Sequence, residues 1–545
     1  MADVNTARLC AQIVESYFGP LTAKIASVVL TRGRLGLPQL VRLSSLKPRT
    51  VRACIIVLVQ HNILWHAHTE EEGEVVEFNV QECLIRLRFG RFIWQTEALF
   101  GREAAEIVQV LLDHGKLRRP EIMSQLSVSD SKRSAAYSRA LHKLVSGSYI
   151  KPSTLLSHQS PRDKRINYEA EERAKLAGLP TARQLREAKE AAGARLKREE
   201  EEAEKVGLKR KAAEQLTARN STKRKVVDDE EVDIQDDIYF RVNYDRYNVH
   251  IRNKLIESAA RERYNDAAAT VVRATLKATE GKQISVAEPR SDPISLATVA
   301  SQLPDDKDLS SGLVLSSSHK KPSDIALIKD YLGMLACADN PTAVGRSASF
   351  VSFGGSKIQV EFEIVCRRLR RRVLEAVTRE RHGDDAVRIV RLLLDTGKMD
   401  EKQISKVAMM ALKDVRPLLS ALSADSLVSL QDVPRSADRN PVRTFYLWYV
   451  DLTKAYTALL GYLYKSLYNI GMRRQAEAQE PGIKAVLDKR ERSDVIQDER
   501  LLTRVEREMI YEWESKRDKL TVLEMRVEEA VFVVRDLGVL GIEDD

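Results

Sequence analysis

The chain has 545 residues, enough for three to five domains, and its 43% hydrophobic and 31% charged content is globular and helix-rich. Its net charge of +9 is small for this length, so any nucleic-acid contact has to be local. No apolar run is long enough to cross a bilayer, the opening MADVNTARLCAQ has no signal-peptide core, and Cys10, Cys54, Cys83, Cys337 and Cys366 fall in no metal-binding or disulfide-framework spacing, so membrane association, a metal and a cofactor are not expected.

In chain order, the first informative stretch is IASVVLTRGRL at 25–35. It returns as IVQVLLDHGKL at 107–117 and as IVRLLLDTGKM at 389–399, the last two identical at seven of eleven positions. Apolar residues at helical spacing followed by Gly predict a short amphipathic helix that ends there. A second short helix follows each copy, signalled by Pro38, by Pro120 and by Asp400 to Ile404; Pro suits a first helical turn because no backbone donor is needed there. A third helix is expected at Pro48–Gln60, at 132–145 and at 412–422, each running into a strand start at Ile63-Leu64, Tyr149-Ile150 and Leu427-Val428.

Return strands follow. Val76, Phe78 and Val80 alternate after a turn at Gly73, and FYLWYV follows the tip of VPRSADRNPVRT. Three helices and a hairpin are the order of a winged helix. A fourth copy is predicted from ISLATVASQLP at 294–304, a helix over 323–339, and a hairpin turning at Gly354-Gly355. The expected fold is mainly α with small β wings: winged helices at 1–90, 91–182, 238–380 and 381–450, each with its own core.

Residues 183–237, rich in Lys, Arg, Glu and Ala, read as a charged linker. Within it Lys209-Arg210-Lys211 and Lys223-Arg224-Lys225 have the form of a bipartite nuclear import signal, which implies a nuclear location. From 451 to 545 the spacing of Leu502, Val505, Met509, Leu520, Leu523 and Val527 predicts a helical hairpin or short coiled coil, with Tyr456, Tyr462 and Tyr464 as packing aromatics.

No catalytic motif is present: there is no phosphate-cradling loop, nucleophile elbow or His-Glu-x-x-His. His66 and His68 read as surface residues of a wing, and Asp384-Asp385 as a helix N-cap. Charge marks candidate DNA contacts. Lys47, Arg49 and Arg52 lie at the start of the first recognition helix, whose Ile55, Ile56, Leu58 and Val59 are expected to face the core. Lys132, Arg133 and Arg139 lie on the second, with Arg162, Lys164 and Arg165 on its wing, and Arg435, Arg439 and Arg443 surround the last wing. These groups can neutralise phosphates but form no base-reading pattern. The run RRLRRR at 367–372 is the densest basic patch, suited to DNA or to protein docking.

Three segments, QDVPRSADRNPVRTFYLW at 431–448, VNYDRYNVHIRNKLIESAARERY at 242–264 and ARLCAQIVESYFGPLTAKIASVVLTRGRL at 7–35, resemble the largest subunit of the TFIIE-like heterotrimer specific to RNA polymerase III. The resemblance implies four winged helices and a C-terminal coiled coil on the polymerase clamp, beside two smaller subunits. It implies a part in promoter recruitment and opening with the initiation factor TFIIIB, in contact with duplex and opening promoter DNA, and no catalytic residues. The loop from Lys282 to Lys321 lacks the long acidic insertions of some relatives. A free-standing DNA-binding regulator and a winged-helix scaffold outside the polymerase are the alternatives; co-purification separates them.

Overall fold

The computed structural model describes residues 3–69, 73–126, 131–176, 181–205, 208–209, 233–234, 236–304, 309, 324–340, 342–354, 357–435, 444–497 and 501–539. It divides into two compact units, residues 1–247 and 248–545.

The first unit opens with α1 (Val4–Phe18), α2 (Pro20–Arg32), β1 (Leu35–Gly36), α3 (Leu37–Ser44), α4 (Pro48–Gln60), β2 (Leu64–Thr69) and β3 (Gly73–Phe78). The strands pair antiparallel in the order β1-β3-β2, with Leu64 opposite Phe78. Leu9, Ile13, Ile25, Val29, Leu40, Val51, Leu58 and Leu64 fill the core between helices and wing. α5 (Val80–Ile85) then packs back on α1 through buried Cys83 and Leu84.

The second winged helix has α6 (Phe89–Phe100), α7 (Arg102–His114), β4 (Leu117–Arg118), α8 (Arg119–Gln125), α9 (Ser131–Ser146) and β5 (Ile150–Pro152). Its return strand is not within 153–182. The chain first forms α10 (Pro161–Ala174) and α11 (Ala182–Lys205), a hairpin closed by Tyr168, Ala192 and Leu196, and a short ladder of β6 (Leu208–Lys209) with β7 (Asp233–Ile234). Only then does β8 (Tyr239–Val242) complete the sheet in the order β4-β8-β5, with Ile150 opposite Val242. The expected boundaries of 91–182 for this domain and 238 for the next are therefore corrected. Phe240 and Val242 are the alternating apolar pair that the sheet buries, whereas 161–174 starts with Pro at a first helical turn and continues with helix formers. Much of the expected linker is α11.

α12 (Tyr244–Arg263) carries the chain into the second unit. There α13 (Asp266–Thr279), β9 (Ile294–Ser295), α14 (Leu296–Ser301), α15 (Asp324–Leu335), α16 (Ala343–Ala348), β10 (Val351–Gly354) and β11 (Lys357–Val360) form the third copy, strand order β10-β11-β9. The fourth has α17 (Phe362–His382), α18 (Asp384–Thr396), β12 (Met399–Asp400), α19 (Glu401–Ala408), α20 (Leu412–Ala424), β13 (Ser429–Pro434) and β14 (Thr444–Tyr449), order β12-β14-β13. Gly383, not an aspartate, is the N-cap of α18; Asp384 and Asp385 occupy its first turn, where they complement the helix dipole.

α21 (Leu452–Gln479), α22 (Pro481–Arg490), α23 (Ser493–Gln497) and α24 (Arg504–Val531) follow, α21 packing along α24. The apolar spacing marks the seam only in part: Leu502 is buried and Met509, Leu520 and Val527 are half-buried, whereas Val505 and Leu523 are exposed. Charged pairs add to the buried Leu467, Ile470, Ile483 and Val486 of α21 and α22: Arg474 with Glu524 at 2.8 Å and Lys489 with Glu506 at 2.8 Å. Nor is the fourth core self-contained. Ala455, Tyr456 and Leu459 of α21 and Val534 beyond α24 join Leu374, Ile389, Leu393, Ile404, Val415 and Leu419 in one cluster.

Candidate nucleic-acid and protein interface

Each copy of the repeat closes on a glycine at positive φ: Gly33 (+86°), Gly115 (+81°) and Gly397 (+83°). Their N–H groups donate to Val29, Leu111 and Leu393, capping the helix where a side chain would be strained. The residue after each glycine is basic and has a structural partner. Arg34 forks to Glu77 on β3 (2.5 Å) and to Asp163 on α10 (2.6 Å), tying the first wing to the inserted hairpin. Lys116 is buried, donates to the Val59 carbonyl at the end of α4 (3.2 Å) and lies 2.9 Å from Nε2 of His158. The Lys398 ammonium lies 5.2 Å from the centre of the Tyr449 ring. Sequence reasoning singled out none of the three; the alignment of the repeat, one position past its glycine, is the signal that marks them.

Burial, reinforced by Arg241, holds the Lys116 ammonium down to about 7. Burial and then the Lys116 charge push His158 down to about 4, and burial followed by Arg86 pushes His61 down to about 3. The His66 ring lies 6.3 Å from that of His158. Among the described residues no group of three His, Cys, Asp or Glu can hold a metal ion.

On α4 the candidates Lys47, Arg49 and Arg52 are all exposed. Val51, Cys54 and Leu58 face the core; the expectation that Ile56 does so is corrected, because it is 68% exposed. The buried set follows the i, i+3, i+7 stripe that starts at Val51, and Ile56 lies off it. Exposed Arg42, on α3, belongs with the three and was not anticipated. A sequence signal for this surface exists: from Ser16 to Thr69 the chain has no Asp or Glu, but has Lys24, Arg32, Arg34, Arg42, Lys47, Arg49 and Arg52.

On α9, Arg133 and Arg139 are exposed, joined by Lys143, which was not anticipated; the Lys132 side chain lies outside the described residues. Arg162, Lys164 and Arg165 are not on a wing but in the first turns of α10. In the fourth domain the exposed Arg435 guanidinium stacks 4.1 Å from the centre of the Phe445 ring, and Arg439 and Arg443 lie outside the described residues. Exposed Lys402, Lys406 and Lys413, none with an ion pair among the described residues, surround its helix-turn-helix and were missed because they are spread over two helices.

The basic run at 367–372 is not a free patch. Arg367 pairs with Glu363, Arg371 with Glu375 and Asp395, and Arg372 with Glu262, while Arg368 and Arg370 stack on Phe350 and Tyr456 at 4.1 and 4.0 Å. Helical periodicity turns the run through every face of α17, so adjacent arginines meet different neighbours. Of the two import clusters, Lys209 ends β6 with its side chain outside the described residues, where Arg210, Lys211, Lys223, Arg224 and Lys225 also lie.

Helix-turn-helix units with small wings, repeated along one chain and followed by a helical hairpin, define a multidomain winged-helix protein. Three family models match: the RNA polymerase III subunit RPC82 helix-turn-helix domain over residues 8–67, RNA polymerase III subunit RPC82 over 139–346, and the POLR3C C-terminal winged-helix domain over 374–450. The chain is 26% identical to the DNA-directed RNA polymerase III subunit RPC3 of Homo sapiens and to that of Rattus norvegicus, in each case over 97% of both chains. It is also 26% identical to subunit rpc3 of Emericella nidulans over 98% of this chain and all of that one. The chain belongs to this RPC3/RPC82 family.

Proposed function

We propose that the chain is a non-catalytic subunit of RNA polymerase III, acting in the nucleus. The observation that carries this is the end-to-end match to proteins named as that subunit, with helix-turn-helix matches at the two ends of the chain's winged-helix array. Its partners are the other polymerase subunits. It sits in a heterotrimer with two smaller subunits on the clamp, and with TFIIIB assists recruitment to the promoters of tRNA, 5S rRNA and other small RNA genes and the opening of their DNA.

DNA contact in this reading is transient and sequence-independent. It uses exposed cations of α9 (Arg133, Arg139, Lys143) and of the fourth domain (Lys402, Lys406, Lys413, Arg435) on phosphates. The low net charge agrees with a subunit held in place by protein contacts, whose DNA affinity need only be local. The two basic clusters around 209 and 223 direct import. Replacing all six residues by Ala in a reporter carrying residues 183–237 abolishes its nuclear accumulation; an unchanged location removes the assignment.

The test of the main reading is affinity purification of the tagged full chain from its own cells, followed by transcription of a tRNA gene in extract depleted of it. Recovery of a multisubunit RNA polymerase, with initiation lost on depletion and restored by the purified complex, is expected. Recovery of the chain alone, or of an assembly without polymerase, refutes it.

A further inference from the structure

The face of α3 and α4 that points away from the first core combines two properties. Leu43 of α3 and Ile56 and Val57 of α4 are 38%, 68% and 39% exposed, with Ala53 of α4 also exposed. Arg49, Arg52, Ala53 and Ile56 follow i, i+3, i+4, i+7, so they share one stripe of the helix. Around them stand Arg42, Lys47, Arg49 and Arg52, all exposed and none in an ion pair among the described residues. The acid-free stretch from Ser16 to Thr69 supplies no carboxylate of its own domain's helix-turn-helix to neutralise them.

A helix laid in a DNA groove meets phosphates and base edges whose one apolar group is the thymine methyl, so several exposed aliphatic side chains together gain little there. Exposed apolar side chains set among unpaired cations are instead the make-up of a protein-docking face. Charge complementarity fixes the sign of the partner. The helix is also held for the purpose: Gln60, at its far end, donates to the Lys116 carbonyl at 2.7 Å, so the face costs little ordering on binding.

We propose that this face docks an amphipathic helix of another polypeptide, with an apolar stripe seated on Leu43, Ala53, Ile56 and Val57 and acidic flanks on the four cations. The site is independent of which assembly the chain joins. Recognition through the apolar stripe of a partner helix, at i, i+3, i+4 and i+7, is a recurrent mode.

The probe is a fluorescein-labelled synthetic peptide of about five helical turns, with Leu at those positions and Glu elsewhere, titrated by anisotropy with the full chain at low and high salt. Saturable binding that weakens with salt is expected. Ile56→Gln with Val57→Gln should weaken it about tenfold or more with unchanged thermal unfolding, and Arg49→Ala with Arg52→Ala should weaken it and flatten its salt dependence. Should the double apolar variant unfold early, Ile56→Gln alone carries the test, since that side chain is mostly in solvent. Absence of saturable binding, or wild-type binding by the Ile56 variant, overturns the proposal. So does displacement of the peptide by a duplex oligonucleotide whose own affinity falls equally in Ile56→Gln, which assigns the face to DNA.

Discussion

The side-chain amide of Gln60 donates to the main-chain carbonyl of Lys116 at 2.7 Å, and the Lys116 ammonium donates to the Val59 carbonyl at 3.2 Å. These reciprocal bonds join the end of the first recognition helix to the glycine turn of the second repeat. Gly115 lies within the joint: a Cβ there would stand 2.6 Å from the Gln60 carbonyl oxygen, whereas at Gly33 and Gly397 nothing lies within 4 Å. Gly33→Ala and Gly397→Ala should therefore cost about 1–2 kcal/mol, the strain of positive φ alone. Gly115→Ala should cost roughly twice that, because backbone must also shift. Urea unfolding of the three full-length variants checks the ranking; equal losses contradict a tight joint.

The same joint makes stability depend on pH. Lys116 titrates near 7 when folded against an ordinary 10.5, so the unfolded chain binds more protons between those values and stability rises with pH across that window. His158 and His61, near 4 and 3 when folded against 6.5, favour unfolding as pH falls below about 6.5. The first unit should lose on the order of 2–4 kcal/mol from pH 10 to 7 and more below 6. Lys116→Met should flatten the alkaline limb and leave an acid limb. Thermal melts across pH, followed by the tryptophans of residues 1–247, read this out; a wild-type alkaline limb in Lys116→Met contradicts it.

Leu111 and Leu393 occupy equivalent positions of the repeat and are each 1% exposed. Replacing either by Ala should cost about 2–5 kcal/mol through lost burial and a cavity. Hydrogen exchange should locate each loss in its own unit, and a loss spread over both units would contradict independent cores.

Charge reversal on the first recognition helix should do the opposite. Lys47→Glu with Arg49→Glu and Arg52→Glu leaves folding within about 0.5 kcal/mol, since exposed charges contribute little. It should abolish binding of the acidic peptide while leaving the salt slope for duplex DNA unchanged. A slope smaller by roughly one unit for each charge reversed would place phosphates on this helix.

Truncation after residue 451 removes Ala455, Tyr456, Leu459 and Val534 from the fourth core. Amide exchange in α18 should then accelerate at least about tenfold, a loss of about 1.4 kcal/mol or more, while α7 is unchanged. Equal protection of α18 in the truncated chain would show that the fourth domain stands alone.

Much of the fold was legible because it rests on short-range chemistry. The Gly-terminated repeat, Pro38 and Pro120 in first turns and the Gly354 hairpin each carry a local instruction, and α4 spans Pro48–Gln60 as its pattern requires. What was not legible is long-range. Nothing near Pro152 says that its sheet partner is Phe240, and nothing in RRLRRR says that each arginine has a different neighbour. For the candidate interface, the sign of the charge on α4 was readable, but the exposure of Ile56 was not, because an apolar residue one position off a stripe looks like core.

The second wing has a consequence for how the protein is made. Its two strands are separated by residues 153–238, so the sheet closes late, after the ribosome has released the whole insertion. The equilibrium penalty is modest, since closure entropy grows only by about 0.6 kcal/mol for each doubling of a loop. The kinetic one is larger: until Tyr239–Val242 arrives, the paired edges of β4 and β5 stand open to non-native partners. Once the sheet has closed, the chain between its strands is no longer needed to hold it. A single protease cut within the insertion should leave both fragments together through gel filtration and separate them only in denaturant, so the second winged helix is in effect a fragment-complementation pair carried on one polypeptide.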